Sequence, residues 1–228
     1  MHAWRRHRLV WLDDDGWRGV LASWTEAPQH DAQALECLRH WAGQRWPLVV
    51  TRQRADPACA GAAAPLALGL PAPARWERRR IAIDVPLRAV LRQGEFAAAS
   101  EVGPTLPASA RAAWLTLCAG LASLGVTARV YGSHGWQLLT GLTYVHPQSD
   151  IDLLLPVQAA PQADRVCALL LRGAPHMPRT DGELAFLNGA AVAWREWVQW
   201  RSGQVRQVLV KRIEGSTLED PAQWLACA

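Results

Sequence analysis

Two aspartates stand at the start of an apolar run, Ser149-Asp-Ile-Asp-Leu-Leu-Leu155. The run predicts a strand that begins at Ile151, and side chains two positions apart on a strand point to the same face. Asp150 and Asp152 therefore share one face, while Ile151 and Leu153 point to the other. Because two like charges at this spacing repel, half-burying them raises their pKa values or requires a cation between them. Mg²⁺ suits this pattern, since it prefers hard oxygen ligands.

A Gly-Ser pair lies upstream, between a predicted strand and a predicted helix. The strand covers Thr127–Tyr131, Gly132 and Ser133 follow it, and a short helix is expected around Trp136–Gly141. Backbone N–H groups and a hydroxyl at a helix N-terminus bind phosphate oxygens favourably. The segment from Gly132 to Asp152 therefore predicts a phosphate site beside a metal site.

Each half of this segment also has a simpler interpretation. The aspartates fit an Asx-type turn, with Ser149 and Asp150 bonded to local backbone and Asp152 in water. The pair Gly132-Ser133 fits an ordinary tight turn, because glycine serves any left-handed position. The combination, rather than either half alone, favours the phosphate and metal sites.

Hydrophobic periodicity predicts the other elements. In the N-terminal region these are a strand at His7–Leu12, a turn at Asp13–Gly16, a helix at Ala32–Trp41 and a strand at Pro47–Arg52. Further on they are a helix from Pro107 ended by Gly125, the strand from Ile151 closed by Pro156, a helix at Pro161–Arg172, a strand at Glu183–Leu187, a hairpin turn at Asn188-Gly189, a return strand at Ala191–Val198 and a last strand at Val205–Arg212.

The segment Asp56–Ala74 is rich in Ala, Pro and Gly, which predicts a surface loop or linker with one brief extended piece. We therefore predict two domains. Residues 1–80 form a small α/β region. Residues 81–228 form an α+β domain, a mixed sheet with helices on one side.

The amino-acid composition indicates a protein with a hydrophobic core and gives no sign of a nucleic-acid or membrane partner. Half of the 228 residues are hydrophobic, enough for a sizeable core, and a net charge of +4 does not indicate nucleic acid. The five cysteines are widely spaced without C-x-x-C, which predicts reduced thiols in a cytoplasmic protein. No stretch reads as a signal peptide or a membrane span, so no membrane partner is expected.

The strand, Gly-Ser, helix and Asp-x-Asp arrangement resembles the nucleotidyltransferase superfamily related to DNA polymerase beta. Sixteen residues separate Ser133 from Asp150, more than in most members. The wording Gly132-Ser-x-x-Trp-Gln-x-Leu-Thr-Gly-Leu-x-Tyr144, followed by Ser149-Asp-Ile-Asp-Leu-Leu154, is similar to the malonate decarboxylase holo-[acyl-carrier protein] synthases, also called phosphoribosyl-dephospho-CoA transferases. The resemblance continues through Asp181-Gly-Glu-Leu-Ala-Phe186, Ala193-Trp-Arg-Glu-Trp197 and Val208-Leu-Val-Lys-Arg212.

This resemblance implies a transferase with a nucleotidyltransferase-like fold. Its donor would be 2′-(5″-triphosphoribosyl)-3′-dephospho-CoA, its acceptor a serine of the malonate decarboxylase acyl carrier protein, and its by-product pyrophosphate. Asp150 and Asp152 would hold Mg²⁺, with Mn²⁺ as the alternative. Another nucleotidyltransferase, acting on a citrate lyase carrier protein or a small molecule, is an alternative, as is an inactive nucleotide-binding regulator.

A two-metal site needs a third carboxylate to bind the second metal and accept the proton of the nucleophile. Asp181, Glu183 and Glu196 are the candidates, and we prefer Glu183 because it starts a predicted strand. An Asp-Gly turn in water is the alternative for Asp181 and Glu183. For Glu196, a surface pair with Arg195 is expected instead.

Further residues are candidates for substrate binding. Lys211, the only lysine among 24 basic residues, would meet the triphosphate as a point charge. Trp136 and Gln137 would stack on a base or bond a ribose hydroxyl, although the helical spacing of Trp136 also fits a core position. His134 and His146 lack metal-ligand spacing, which predicts packing or loop roles.

Overall fold

The computed structural model describes residues 4–26, 31–53, 64–173 and 177–225 of the chain. The chain divides into two compact units, Met1–Glu95 and Phe96–Ala228.

The first unit is built on an antiparallel sheet of five strands. These are β1 (Leu9–Leu12), β2 (Leu48–Val50), β3 (Leu66–Pro71), β4 (Arg80–Val85) and β5 (Val90–Gly94), in the order β4-β3-β2-β1-β5. Two helices that pack on each other complete the unit, α1 (Asp14–Glu26) and α2 (Ala32–Gln44).

Helix α1 replaces the turn that the sequence predicts at Asp13–Gly16. The Asp13 carboxylate accepts a hydrogen bond of 2.7 Å from the Gly16 backbone N–H, as an N-cap residue does. Asp14 and Asp15 then fall in the first turn, where negative charge complements the helix dipole. The turn prediction was wrong because an acidic run serves a helix N-terminus as well as it serves a turn.

Strand β3 is the brief extended piece predicted within the Asp56–Ala74 loop, but it lies inside the sheet and not on the surface. It runs between β2 and β4, and its three leucines, Leu66, Leu68 and Leu70, are each 1% exposed. The alternation of these leucines with small residues is the signature of a strand with one buried face. The rest of the predicted loop includes residues 54–63, which lie outside the described residues.

The boundary between the units also differs from the prediction. Residue 80 is the first residue of β4, and β4 and β5 form the two edges of the first sheet. The unit therefore ends at Glu95, after its last strand, instead of at residue 80.

The second unit contains a mixed sheet of six strands, as the sequence predicts. These are β6 (Arg129–Tyr131), β7 (Ile151–Val157), β8 (Thr180–Phe186), β9 (Ala191–Ala193), β10 (Val208–Lys211) and β11 (Ser216–Glu219), in the order β11-β10-β9-β8-β7-β6. Strands β7 and β8 are parallel and the other neighbours antiparallel. The helices are α3 (Ala108–Ser123), α4 (Gly132–Thr140), α5 (Ala160–Gly173), α6 (Trp194–Arg201) and α7 (Ala222–Leu225).

The core of the second unit lies on one face of this sheet. Ile151, Leu153 and Leu155 of β7 are fully buried and pack with residues of α3, α5 and α6. Asp152 and Leu154 alternate with them and remain partly exposed on the other face. The predicted arrangement of an apolar face under helices and an opposite face with carboxylates is confirmed.

Two predictions about strand ends were wrong. Strand β7 continues through Pro156 to Val157, because β6 ends opposite Leu154 and leaves one side of β7 open, where a residue without an N–H is tolerated.

The predicted return strand stops at Ala193, and α6 follows it. Trp194 and Trp197 are both buried, and a spacing of three places them on one face of a helix.

Replacing Trp197 should test the packing of α6. Trp197 is fully buried, its ring centroid lies 5.2 Å from that of Phe186, and its indole N–H donates to Asp164 at 2.9 Å. Trp197→Ala should lower the free energy of unfolding by about 3–5 kcal/mol, measured by urea denaturation. Leu218→Ala, at a 66% exposed position of β11, is the control and should change it by less than about 0.5 kcal/mol. Equal losses would contradict this packing.

Candidate active site

The parallel pairing of β7 with β8 brings the acidic residues together. Asp152 is the register partner of Asp181, and Leu154 is the partner of Glu183. Because register partners point to the same face, Asp152, Asp181 and Glu183 all lie on the face opposite the core. Asp150 immediately precedes β7. We call this surface the carboxylate face.

Gly182 lets the two strands approach between the acidic positions. Its φ is +142°, and a Cβ at this residue would lie 2.0 Å from the backbone oxygen of Leu153. Glycine is therefore required for the close approach of β8 to β7. The Asp-Gly-Glu sequence forms part of a strand here, so the solvated turn considered from the sequence is excluded.

Burial and the clustering of these carboxylates raise the pKa of Asp152. Burial, followed by the negative charges of Asp181, Asp150 and Glu183, raises the pKa of Asp152 to about 6, and Lys211 opposes the rise. Ionised Asp152 is thus disfavoured in the folded protein. A cation bound at this carboxylate would remove the penalty.

The N-terminus of α4 lies directly against Asp152. Gly132 is the first residue of the helix and has a φ of +61°, and a Cβ there would lie 1.9 Å from the Oδ2 atom of Asp152. Any other residue would displace the carboxylate. Within the described residues, no N-cap side chain bonds to the first amides of α4. The predicted Gly-Ser segment therefore presents helix N-terminal amides beside the carboxylates, as phosphate binding requires.

Of the three candidates for a third carboxylate, Asp181 has the most suitable position. Glu183 is 3% exposed, and its Oε1 accepts a hydrogen bond of 2.7 Å from the Nζ of Lys211. Glu196 lies on α6, where its carboxylate accepts the backbone N–H of Leu209 at 2.7 Å. The Asp181 carboxylate also accepts a hydrogen bond, from the Gly182 N–H at 2.8 Å, but Asp181 is partly exposed and adjacent to Asp152. The geometry favours Asp181 over Glu183, which the sequence preferred.

Arg179 is a site residue that the sequence analysis did not single out. Its Nε lies 3.5 Å from the Oδ2 of Asp150, and both side chains are partly exposed. Its backbone oxygen accepts the N–H of Ile151, so the start of β8 fixes its position. An arginine immediately before Thr180 carries no local signal, because only the strand register brings it to Asp150.

The carboxylates fit a magnesium ion in donor chemistry. Among the described residues, no group of three His, Cys, Asp or Glu side chains is placed to hold a metal ion without further ligands. Mg²⁺ does not require one, since it is usually held by one or two carboxylates together with water and substrate phosphates. Asp150, Asp152 and Asp181 offer such oxygens beside a helix N-terminus suited to phosphate.

Two residues expected to bind substrate, Trp136 and Gln137, make contacts within the scaffold. Trp136 is 3% exposed and packs edge to face on Phe96, with ring centroids 5.3 Å apart, so its ring is not available to stack on a base. The side-chain oxygen of Gln137 accepts the backbone N–H groups of Tyr144 and Val145, which fixes the loop after α4.

His134 confirms the packing role that its sequence context indicates. It is 2% exposed and its Nδ1 lies 2.8 Å from the Thr105 hydroxyl. Burial lowers the pKa of His134, which favours the neutral imidazole.

Asp152→Asn should stabilise the protein in the absence of metal. Because the pKa of Asp152 is about 6 in the folded protein, against an ordinary value of 3.8, stability falls as the pH rises from about 4 to about 6 and the loss levels off above that range. The substitution should raise the free energy of unfolding by about 1–3 kcal/mol at pH 7, and by less at pH 5, where folded Asp152 is protonated. Urea denaturation at both pH values in EDTA measures this. Asp84→Asn, at an exposed position of β4, should have no effect, and an equal gain at both pH values would contradict the prediction.

No helix among the described residues is both long and apolar enough to cross a membrane.

Comparison with known proteins identifies the family. Residues 5–96 match the model described as phosphoribosyl-dephospho-CoA transferase MdcG N-terminal domain, and residues 95–222 match the corresponding C-terminal domain. No solved structure matches the chain.

Curated relatives cover nearly the whole chain. A protein of Bradyrhizobium diazoefficiens is 38% identical over 98% of this chain and 93% of its own length. Proteins of Xanthomonas euvesicatoria pv. vesicatoria and Pseudomonas aeruginosa are each 36% identical, over 90% and 86% of this chain and 89% of their own lengths. All three are named phosphoribosyl-dephospho-CoA transferase. With both domain models matched and the carboxylates and Gly-Ser segment in one site, the chain belongs to the phosphoribosyl-dephospho-CoA transferase family of enzymes.

Proposed function

We propose that this enzyme transfers the phosphoribosyl-dephospho-CoA group from 2′-(5″-triphosphoribosyl)-3′-dephospho-CoA to a serine of the malonate decarboxylase acyl carrier protein. The observation that carries the proposal is the contact of the Gly132 end of α4 with Asp152, beside Asp181. It supplies a place for a triphosphate next to oxygens that bind a cation.

Asp150, Asp152 and Asp181 would hold Mg²⁺, with Mn²⁺ as the alternative. When bound, the metal ion would supply positive charge to the phosphate oxygens and relieve the repulsion that raises the pKa of Asp152. Asp181 replaces Glu183 as our third carboxylate, because the carboxylate of Glu183 is occupied by Lys211.

The residues support an in-line displacement. The serine oxygen of the carrier protein bonds to the α-phosphorus, and the bond from that phosphorus to the bridging oxygen of the leaving pyrophosphate breaks. Asp181 accepts the serine proton. Backbone amides of Gly132 and Ser133, with the Ser133 hydroxyl, hold the β- and γ-phosphates and stabilise the charge of the departing pyrophosphate.

We place the reaction in the cytoplasm. Cys37, Cys118 and Cys167 are free thiols, as expected of a reducing compartment. Burial raises the pKa of each thiol, to about 12, 11 and 12 respectively, so none is a reactive thiolate at neutral pH.

Removal of a single carboxylate should abolish transfer. Asp150→Ala, Asp152→Ala and Asp181→Ala should each lower the rate by at least about 1000-fold while the protein stays folded, since each removes a proposed metal ligand. The assay is the intact mass of purified apo acyl carrier protein after incubation with enzyme, Mg²⁺ and the triphosphoribosyl donor. Asp84→Ala serves as the control and should retain full activity.

The same assay discriminates the acceptors and donors. A mass gain equal to the phosphoribosyl-dephospho-CoA group supports the proposal, and citrate lyase carrier protein tested in parallel separates the two acceptors. A gain of AMP or CMP, with ATP and CTP as competing donors, would contradict the proposed donor. Unchanged turnover of the Asp150 or Asp152 variant would contradict the metal site.

Ser133→Ala should have a milder effect. Loss of one hydrogen bond to a charged group costs about 1.5–3 kcal/mol, so the KM for the triphosphoribosyl donor should rise by about 10- to 150-fold. Steady-state kinetics measures the change, and circular dichroism should show an unaltered fold. A variant that fails to fold would indicate that Ser133 supports the turn into α4 instead of the substrate.

A further inference from the structure

Glu183 and Lys211 reach each other across strand β9. Glu183 on β8 is paired with Ala193, and Lys211 on β10 is paired with Ala191. Because register partners share a face, all four residues lie on the carboxylate face. The two alanines are small enough for both long side chains to pass over them, and the ammonium donates to the carboxylate at 2.7 Å.

The two ends of this ion pair differ in exposure. The Glu183 side chain is 4% exposed, whereas that of Lys211 is 28% exposed. A buried ion pair adds little stability compared with well-packed apolar residues, because both charges lose their hydration. The open side of Lys211 points to a role in binding instead.

The ammonium group of Lys211 is suited to binding an anion while it is paired with Glu183. Lys211 is the only lysine among 24 basic residues, and all the others are arginines. An ammonium is a compact charge with three N–H donors, so it has donors left after it bonds to Glu183. Glu183 lies two residues after Asp181, the register partner of Asp152, so the ammonium that it binds lies on the same face as the acidic residues.

We infer that Glu183 is a positioning residue that holds Lys211 on the carboxylate face, so that the remaining N–H groups of the ammonium donate to phosphate oxygens of the bound donor. Glu183 itself touches neither metal nor substrate. The identity of the donor rests on the proposed function, but the binding of a polyphosphate by Lys211 is tested without it.

A single lysine gives a direct spectroscopic test. Protein labelled with ¹³C-lysine should show one set of side-chain signals, those of Lys211. Inorganic tripolyphosphate, added to the full chain with Mg²⁺, should shift the ¹³Cε signal of Lys211 along a saturable curve. If tripolyphosphate binds, as measured by calorimetry, and the Lys211 signal does not move, the inference is wrong.

Variants then separate positioning from structure. Glu183→Gln keeps the shape of the side chain and should weaken tripolyphosphate binding about tenfold, with a reduced shift of the Lys211 signal. Glu183→Asp should restore part of the affinity. Lys211→Ala should weaken binding at least as much, and the double variant Glu183→Gln/Lys211→Ala should lose no more than Lys211→Ala alone.

Glu219→Gln is the matched control. Glu219 lies on the edge strand β11, and its Oε2 accepts a hydrogen bond of 2.9 Å from Arg212. The substitution breaks this ion pair and should leave the affinity for tripolyphosphate unchanged. An additive double variant, or a Glu183→Gln variant that binds tripolyphosphate normally, would overturn the inference. So would loss of Mg²⁺ binding in Glu183→Gln but not in Lys211→Ala, because Glu183 would then be a metal ligand.

This test is independent of the transfer assay. If the proposed function is wrong, the wild-type enzyme does not load the carrier protein, yet Lys211 still responds to tripolyphosphate. If the inference is wrong, the wild-type enzyme loads the carrier protein while the Lys211 signal stays unchanged.

Discussion

Asp152 and Asp181 are held side by side by the parallel ladder between β7 and β8, although their charges repel. The ladder persists because the other face of both strands is fully buried, with Leu153 and Leu184 in the core beneath the helices. Each such side chain stabilises the fold by about 1.5–3 kcal/mol, which offsets the repulsion above it. The core therefore maintains an electrostatic strain that a bound cation would relieve.

Glycine makes the closeness of these groups possible. At Gly182 it allows β8 to approach the backbone of β7, and at Gly132 it allows a helix to begin against the Asp152 carboxylate. Both positions have positive φ values, so a side chain would introduce backbone strain as well as a clash. The result places helix N-terminal amides beside clustered carboxylates, an arrangement that fits the phosphoryl chemistry proposed for this transferase.

The two cations that pair with carboxylates of the site differ in their exposure to solvent. Arg179 lies at the partly exposed Asp150, whereas Lys211 pairs with the buried Glu183. Arg179 is thus largely accessible to solvent, and Lys211 is held by the sheet. The site therefore combines negative oxygens for a metal with positive groups for an anion, as a substrate bearing a triphosphate would require.

The sequence by itself determined that Asp152 lies on the face opposite Ile151 and Leu153, that a helix follows the Gly-Ser pair, and the family, because strand alternation and short motifs are local properties. The helix begins at Gly132, earlier than the predicted Trp136. Only the tertiary structure brought Asp181 beside Asp152, paired Glu183 with Lys211 and placed Arg179 at Asp150. Those contacts depend on the register of β7 against β8 and on a cation two strands from Glu183 in the sheet, which no local pattern encodes. For Trp136 the sequence left a substrate contact and a core position open, and the structure packs its ring on Phe96, a residue far from it in sequence.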